Sequence, residues 1–109
     1  MARGKSYNTF KRDTILFNWL REHKGEANKV TSLEVQMFLE DNGYKINKNN
    51  VGTLINKIMY ERHAPICYSN STGYYWATSR EELEKTIADL DSRRKSLQEH
   101  IDHLKGFMI

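Results

Sequence analysis

A single proline, Pro65, divides this 109-residue chain into two stretches of different periodicity. The residue before a proline avoids the helical region, so a helix arriving from the N-terminal side must stop there. Upstream, apolar residues recur three times at helical spacing. Downstream, Ile66-Cys67-Tyr68 and Tyr74-Tyr75-Trp76 are short runs of strand formers, and Ser69-Asn70-Ser71-Thr72-Gly73 between them reads as a turn. Helices before the proline and a hairpin after it confine the chain to a mainly α, α+β architecture.

The first helix is expected to start near Asn8 or Thr9, either of which can cap it. Its apolar stripe is Phe10, Ile15, Leu16, Trp19 and Leu20, and Gly25 supplies the stop. The second helix opens on Thr31 and Glu34, which have capping-box spacing, with Val30 and Val35 at the positions of a hydrophobic staple. Val35, Phe38 and Leu39 face the core, and Asn42-Gly43 ends the helix. Asn47 can cap the third helix, with Ile46 and Val51 flanking it as a second staple. Val51, Leu54, Ile55 and Ile58 follow the i, i+3, i+4, i+7 pattern. In the hairpin, Tyr74 and Trp76 share the core-facing side of their strand, and Tyr75 points to the other side.

Three helices followed by a hairpin is the winged helix-turn-helix order, in which the third helix enters the major groove of DNA. Its outer face must then carry flexible donors and acceptors. Here that face offers Asn47, Lys48, Asn49, Asn50, Thr53, Asn56 and Lys57. An Asn side chain bonds two edge atoms of adenine at once, and Lys meets phosphate or guanine. Gly52 would let the backbone approach the duplex. The competing reading of the same face is a solvated helix surface, with the asparagines marking only a cap. Ser69, Asn70 and Ser71 at the hairpin tip either touch backbone or minor groove, or form a plain turn. Arg3 and Lys5, with Lys11 and Arg12, form a basic N-terminal stretch that either enters the minor groove or solubilises the chain.

The segment Val51-Gly52-Thr53-Leu54-Ile55-Asn56-Lys57-Ile58, leading through Ala64-Pro65-Ile66-Cys67 to Gly73-Tyr74-Tyr75, carries a family resemblance. It is similar to the recognition helix and wing of the winged-helix class found at the N-terminus of biotin-ligase repressors. It resembles more closely the small winged-helix proteins of phages of Gram-positive bacteria. The class often has a glycine just before the first wing strand, where this chain has His63-Ala64. The resemblance implies a wing tip at residues 69–72 and a phage-encoded DNA-binding regulator acting in the host cytoplasm.

The last thirty residues need a separate account. Leu83, Ile87, Leu90, Leu97, Ile101, Leu104 and Met108 recur at alternating steps of four and three, with Arg94 in the one gap. This is a heptad seam, with Ile87, Arg94, Ile101 and Met108 at a and the leucines at d. Thr78 with Glu81 and Ser79 with Glu82 are overlapping capping boxes, and a helix from residue 80 to 105 would be about 39 Å long. So long a stripe either packs back onto its own domain or pairs with a second copy; its overhang favours a homodimer. Parallel pairing would oppose Arg94 with Arg94. Antiparallel pairing sets Arg94 against Leu97 of the partner subunit and brings Glu84 near the partner's Lys105, and is preferred. The layout is similar to that of the bacterial replication terminator protein. Residues 1–8 are thus expected as a basic arm, 9–78 as the winged domain and 79–109 as the dimerisation helix.

Charge follows the same division. Residues 1–64 carry 11 Lys+Arg against 7 Asp+Glu, and residues 65–109 carry 6 against 7, so the basic half is the candidate nucleic-acid face. The lone Cys67 excludes an internal disulfide and fits a reducing compartment. No apolar run is long enough for a membrane span, and a cytoplasmic location is expected. No phosphate-binding loop, nucleophile elbow or HExxH pattern is present, and His100 with His103 lacks further ligands. No enzyme, metal or cofactor is therefore expected. The expected partner is double-stranded DNA bearing an inverted repeat. The alternatives are an architectural DNA binder and a protein-interaction module directed at host machinery.

Overall fold

The computed structural model describes the backbone of residues 2–68 and 73–108 and the side chains of residues 8–68 and 73–108. Its helices are α1 (Ala2–Glu22), α2 (Ser32–Asp41), α3 (Val51–Glu61) and α4 (Arg80–Lys105). Strands β1 (Ile66–Tyr68) and β2 (Tyr74–Trp76) form a two-stranded antiparallel sheet, and short 3-10 turns cover Glu26–Asn28, Lys48–Asn50 and Gly106–Met108.

Helix α1 begins at Ala2, earlier than the expected Asn8 or Thr9, so the basic stretch belongs to the helix. An Asn or Thr inside a helix costs only about 0.7 kcal/mol against Ala, too little to stop a segment free of Pro and Gly breaks from residue 5 onward. Phe10 also departs from expectation: it is 65% exposed and lies beneath the Arg62 guanidinium, 5.0 Å from its ring centroid. Leu16 and Leu20 carry the core face instead. The chain then leaves α1 through Gly25, whose φ of 84° is one that glycine adopts without a steric penalty.

Local signals set the ends of α2. Glu34 N donates to Thr31 Oγ1 at 3.1 Å and Thr31 N donates to Glu34 Oε1 at 3.0 Å, completing the capping box. Such a cap contributes about 1 kcal/mol. At the other end, Tyr44 N bonds Leu39 O and Gly43 N bonds Glu40 O, a Schellman turn with Gly43 at φ 88°. Asn47 Oδ1 accepts from Asn49 N at 2.9 Å and starts the 3-10 turn that runs into α3. Helix α3 ends in the same way as α2, with Ala64 N bonding Met59 O. Here the left-handed position is His63, at φ 52°.

The core joins Leu16 and Leu20 of α1, Val30, Val35 and Leu39 around α2, and Val51, Leu54, Ile55 and Ile58 of α3 with Ala64 and Ile66. Trp19 stacks on Phe38 at 4.3 Å, and Phe17 meets Trp76 edge-on at 5.5 Å. The sheet register is Ile66 with Trp76, Cys67 with Tyr75 and Tyr68 with Tyr74. Tyr74 and Trp76 therefore lie on the core side, as expected, and Ile66 lies there with them. Strand β2 is also paired along its second edge. Val30 exchanges both backbone bonds with Tyr74, and Trp76 bonds His23 O and Gly25 N.

The other sheet face is buried too. Tyr75 is 1% exposed, and the first turns of α4 cover it together with Cys67. Cys67 Sγ lies 3.7 Å from Glu82 O, and Thr86 is the buried residue of α4. Burial raises the Tyr75 phenol above its ordinary value, with the nearby Thr86 hydroxyl acting in the opposite sense. That hydroxyl forms no hydrogen bond of full geometry. Of the two overlapping capping boxes, Ser79 is the cap used: its Oγ accepts from Glu82 N at 3.2 Å. The Glu82 carboxylate is left to accept from Thr78 N at 2.8 Å and Glu26 N at 2.9 Å, tying α4 to the segment after α1. These donors, Thr78 first, hold its carboxyl below the ordinary range. From Ser92 to Met108 every residue is exposed, and beyond the contact of Arg93 with Tyr68 the rest of α4 projects from the domain.

Candidate nucleic-acid interface

The buried stripe of α3 fixes what its outer side can present. With Val51, Leu54, Ile55 and Ile58 inward, Thr53, Asn56 and Tyr60 emerge on the opposite side. Tyr60 is 78% exposed, an aromatic group on this line that the periodicity argument did not single out. The two flanks of the helix differ in their surroundings.

On one flank, Asn47, Asn50, Thr53 and Lys57 line a shallow concavity of about 350 Å³ together with Arg12 and Lys45. Four of the residues expected from sequence thus come together, with cations from α1 and from the turn after α2 beside them. Lys57 is engaged within the protein. Its Nζ lies 2.9 Å from Asp13 Oδ2 and 3.9 Å from Glu61, and Arg12 reaches the other Asp13 oxygen at 3.1 Å. The Asp13 side chain is 4% exposed, so the carboxylate is an internal counter-ion that orients Lys57 and Arg12. Sequence spacing did not reveal Asp13, because its partner Lys57 lies on a different helix. Lys48 and Asn49 are exposed in the 3-10 turn at the head of α3 and do not line the concavity. Asn47 serves as the cap while its amide nitrogen remains available to donate.

On the other flank, Asn56 faces the hairpin. Gly52 lies against the hairpin. The Tyr74 hydroxyl lies 3.3 Å from where a Cβ on Gly52 would stand. The missing side chain lets the strand residue close against α3, which fixes the position of the hairpin relative to the helix. The side chains of Arg3 and Lys5, and residues Ser69, Asn70 and Ser71, lie outside the described residues.

The apolar heptad positions of α4 are exposed among the described residues. Exposure runs from 38% at Leu83 to 84% at Met108, with Ile87, Leu90, Leu97, Ile101 and Leu104 between. Phe107, 77% exposed, extends the apolar surface. Arg94 pairs with Asp91 of its own helix at 2.9 Å. The flank bearing Thr86 docks on the sheet, and the seam runs beside that flank.

No group of three or more potential metal ligands occurs among the described residues, and none of their helices is long and apolar enough to cross a membrane. Comparison with known proteins found no matching family model, no matching curated protein and no matching solved structure.

Proposed function

We propose that this protein is a winged helix-turn-helix DNA-binding protein, resembling those of phages of Gram-positive bacteria, that regulates transcription by occupying an inverted repeat as a homodimer. The observation that carries the reading is the outer side of α3. Together with the turn that leads into it, this side presents Asn47, Asn50 and Thr53 on one flank and Asn56 on the other, with the hairpin packed beside it where Tyr74 approaches Gly52. The second-edge pairing of β2 with Val30 supports a wing built on a third, minimal strand.

The dimer is assigned to α4 in antiparallel register. Leu83 then meets the partner's Met108, Ile87 the partner's Leu104, Leu90 the partner's Ile101 and Arg94 the partner's Leu97. Each apolar seam residue loses about half its surface, contributing about 1 kcal/mol where full burial contributes about 1.5–3 kcal/mol. Fourteen such residues across two copies yield roughly 14 kcal/mol, against an association cost of about 4–15 kcal/mol. In this register the docking residue Thr86 and its symmetry mate are about nineteen residue rises apart, about 28 Å. That is of the order of one duplex turn, the spacing at which a twofold pair of recognition helices reads adjacent major grooves.

Asn50→Ala and Asn56→Ala test the base-reading role. Each is expected to lower affinity for the selected site by about 1–3 kcal/mol, the value of one bidentate base contact, with thermal unfolding unchanged. Titration of labelled duplex reads it directly. Wild-type affinity in both variants contradicts the assignment.

A further inference from the structure

The wing tip residues Ser69, Asn70, Ser71 and Thr72 include no cation, yet a wing that lies along a duplex meets phosphates. The structure brings a cation to this side from another element. Arg93, on the docked flank of α4, places its guanidinium 5.4 Å from the Tyr68 ring centroid. The same guanidinium borders an open concavity of about 330 Å³ lined by Asn56 and Gly52 of α3, Tyr74 of β2 and Ser32 of α2. Among the described residues Arg93 forms no ion pair, whereas its neighbours Arg94 and Lys95 both reach Asp91, and Arg80 holds Glu84. A cation over an aromatic face keeps its in-plane N–H donors free, and a planar guanidinium matches two phosphate oxygens.

We propose that Arg93 binds a backbone phosphate of the DNA, on the wing side of the groove read by α3. This deepens the DNA-binding reading and rests on it. The residue occupies the dimerisation helix, so one element both pairs the two copies and grips the strand beside each recognition helix. Tyr68 is the positioning residue that holds the guanidinium at the concavity.

The test measures affinity against salt concentration for wild type, Arg93→Ala, Arg93→Lys and Asn56→Ala, on the selected site and on a random duplex. Sedimentation and thermal unfolding confirm that each variant stays folded and dimeric. Loss of one phosphate contact lowers the slope of log K against log salt by about 0.9. Arg93→Ala is expected to show that decrease and to weaken both duplexes by the same factor. Arg93→Lys restores the slope, and Asn56→Ala weakens the selected site alone. A wild-type slope in Arg93→Ala, with wild type binding normally, overturns the phosphate role and leaves the DNA-binding reading intact. Failure of wild type to bind any duplex at low salt overturns both.

Discussion

Replacing Glu82 by Gln tests how α4 is held to the domain. The Glu82 carboxylate accepts from the backbone amides of Thr78 at 2.8 Å and Glu26 at 2.9 Å, and from Thr78 Oγ1 at 3.0 Å. Hydrogen bonds to a charged group contribute about 1.5–3 kcal/mol each when well buried. Glu82 is half-buried, so about 1 kcal/mol per amide is the appropriate scale, and the charge-assisted part totals about 2 kcal/mol. For a domain of this size, that corresponds to a fall of about 10 °C in Tm at pH 7. The pH dependence has a definite sign. The carboxyl is held below its ordinary value in the folded state, so its contribution is present above the unfolded pKa and is lost as pH falls through the folded one. Wild type and Glu82→Gln should therefore converge in acid and diverge toward neutrality. Thermal unfolding followed by circular dichroism across that range is the assay. Equal Tm values at pH 7, or a difference that persists unchanged in acid, would refute the tether.

The remaining predictions concern the seam and the α3 exit. Ile101→Asn sits on the projecting half of α4, where it leaves the monomer intact; it should weaken the dimer about 100-fold by removing two buried side chains and burying two amides. Leu97→Glu meets the partner's Arg94 only in the antiparallel register, so sedimentation should show a much smaller loss if that register is correct. His63→Gly relieves a left-handed residue at φ 52° and should raise stability by about 0.5–1 kcal/mol in denaturant unfolding, the α-left penalty less the added chain entropy of glycine. No gain would show that the His63 conformation carries no strain.

Features encoded within one turn of chain were legible in the sequence. Thr31 with Glu34 forms the capping box, and α4 runs from the Ser79 cap over residues 80 to 105 as expected, whereas α1 ends at Glu22, before the expected stop at Gly25, which instead opens the next 3-10 turn. What depended on distant partners was not. Tyr75 was placed on the face away from the three-helix core, but its burial under α4 follows from contacts between elements separated by a turn and a cap. That Gly52 also lies against Tyr74 was not legible, because only a folded hairpin brings the two together. Lys57 read as a free cation because Asp13 lies 44 residues away. Arg93 looked like any other charge on a long helix, and only its place over Tyr68 distinguishes it. Phe10 fitted the apolar stripe of α1 by spacing, yet it stays largely exposed and its ring meets the guanidinium of Arg62 at the end of α3.

The central claim is specific, dimeric recognition of double-stranded DNA. Selection from a random duplex pool with the purified protein, sequenced after recovery at two salt concentrations, tests it most directly. The account predicts enrichment of an inverted repeat whose half-sites lie about one helical turn apart. Recovery without a motif, lost steeply with salt, would contradict specific readout and leave a phosphate-dominated architectural role. No recovery even at low salt would contradict DNA binding altogether and point to a protein partner for the exposed surface of α3.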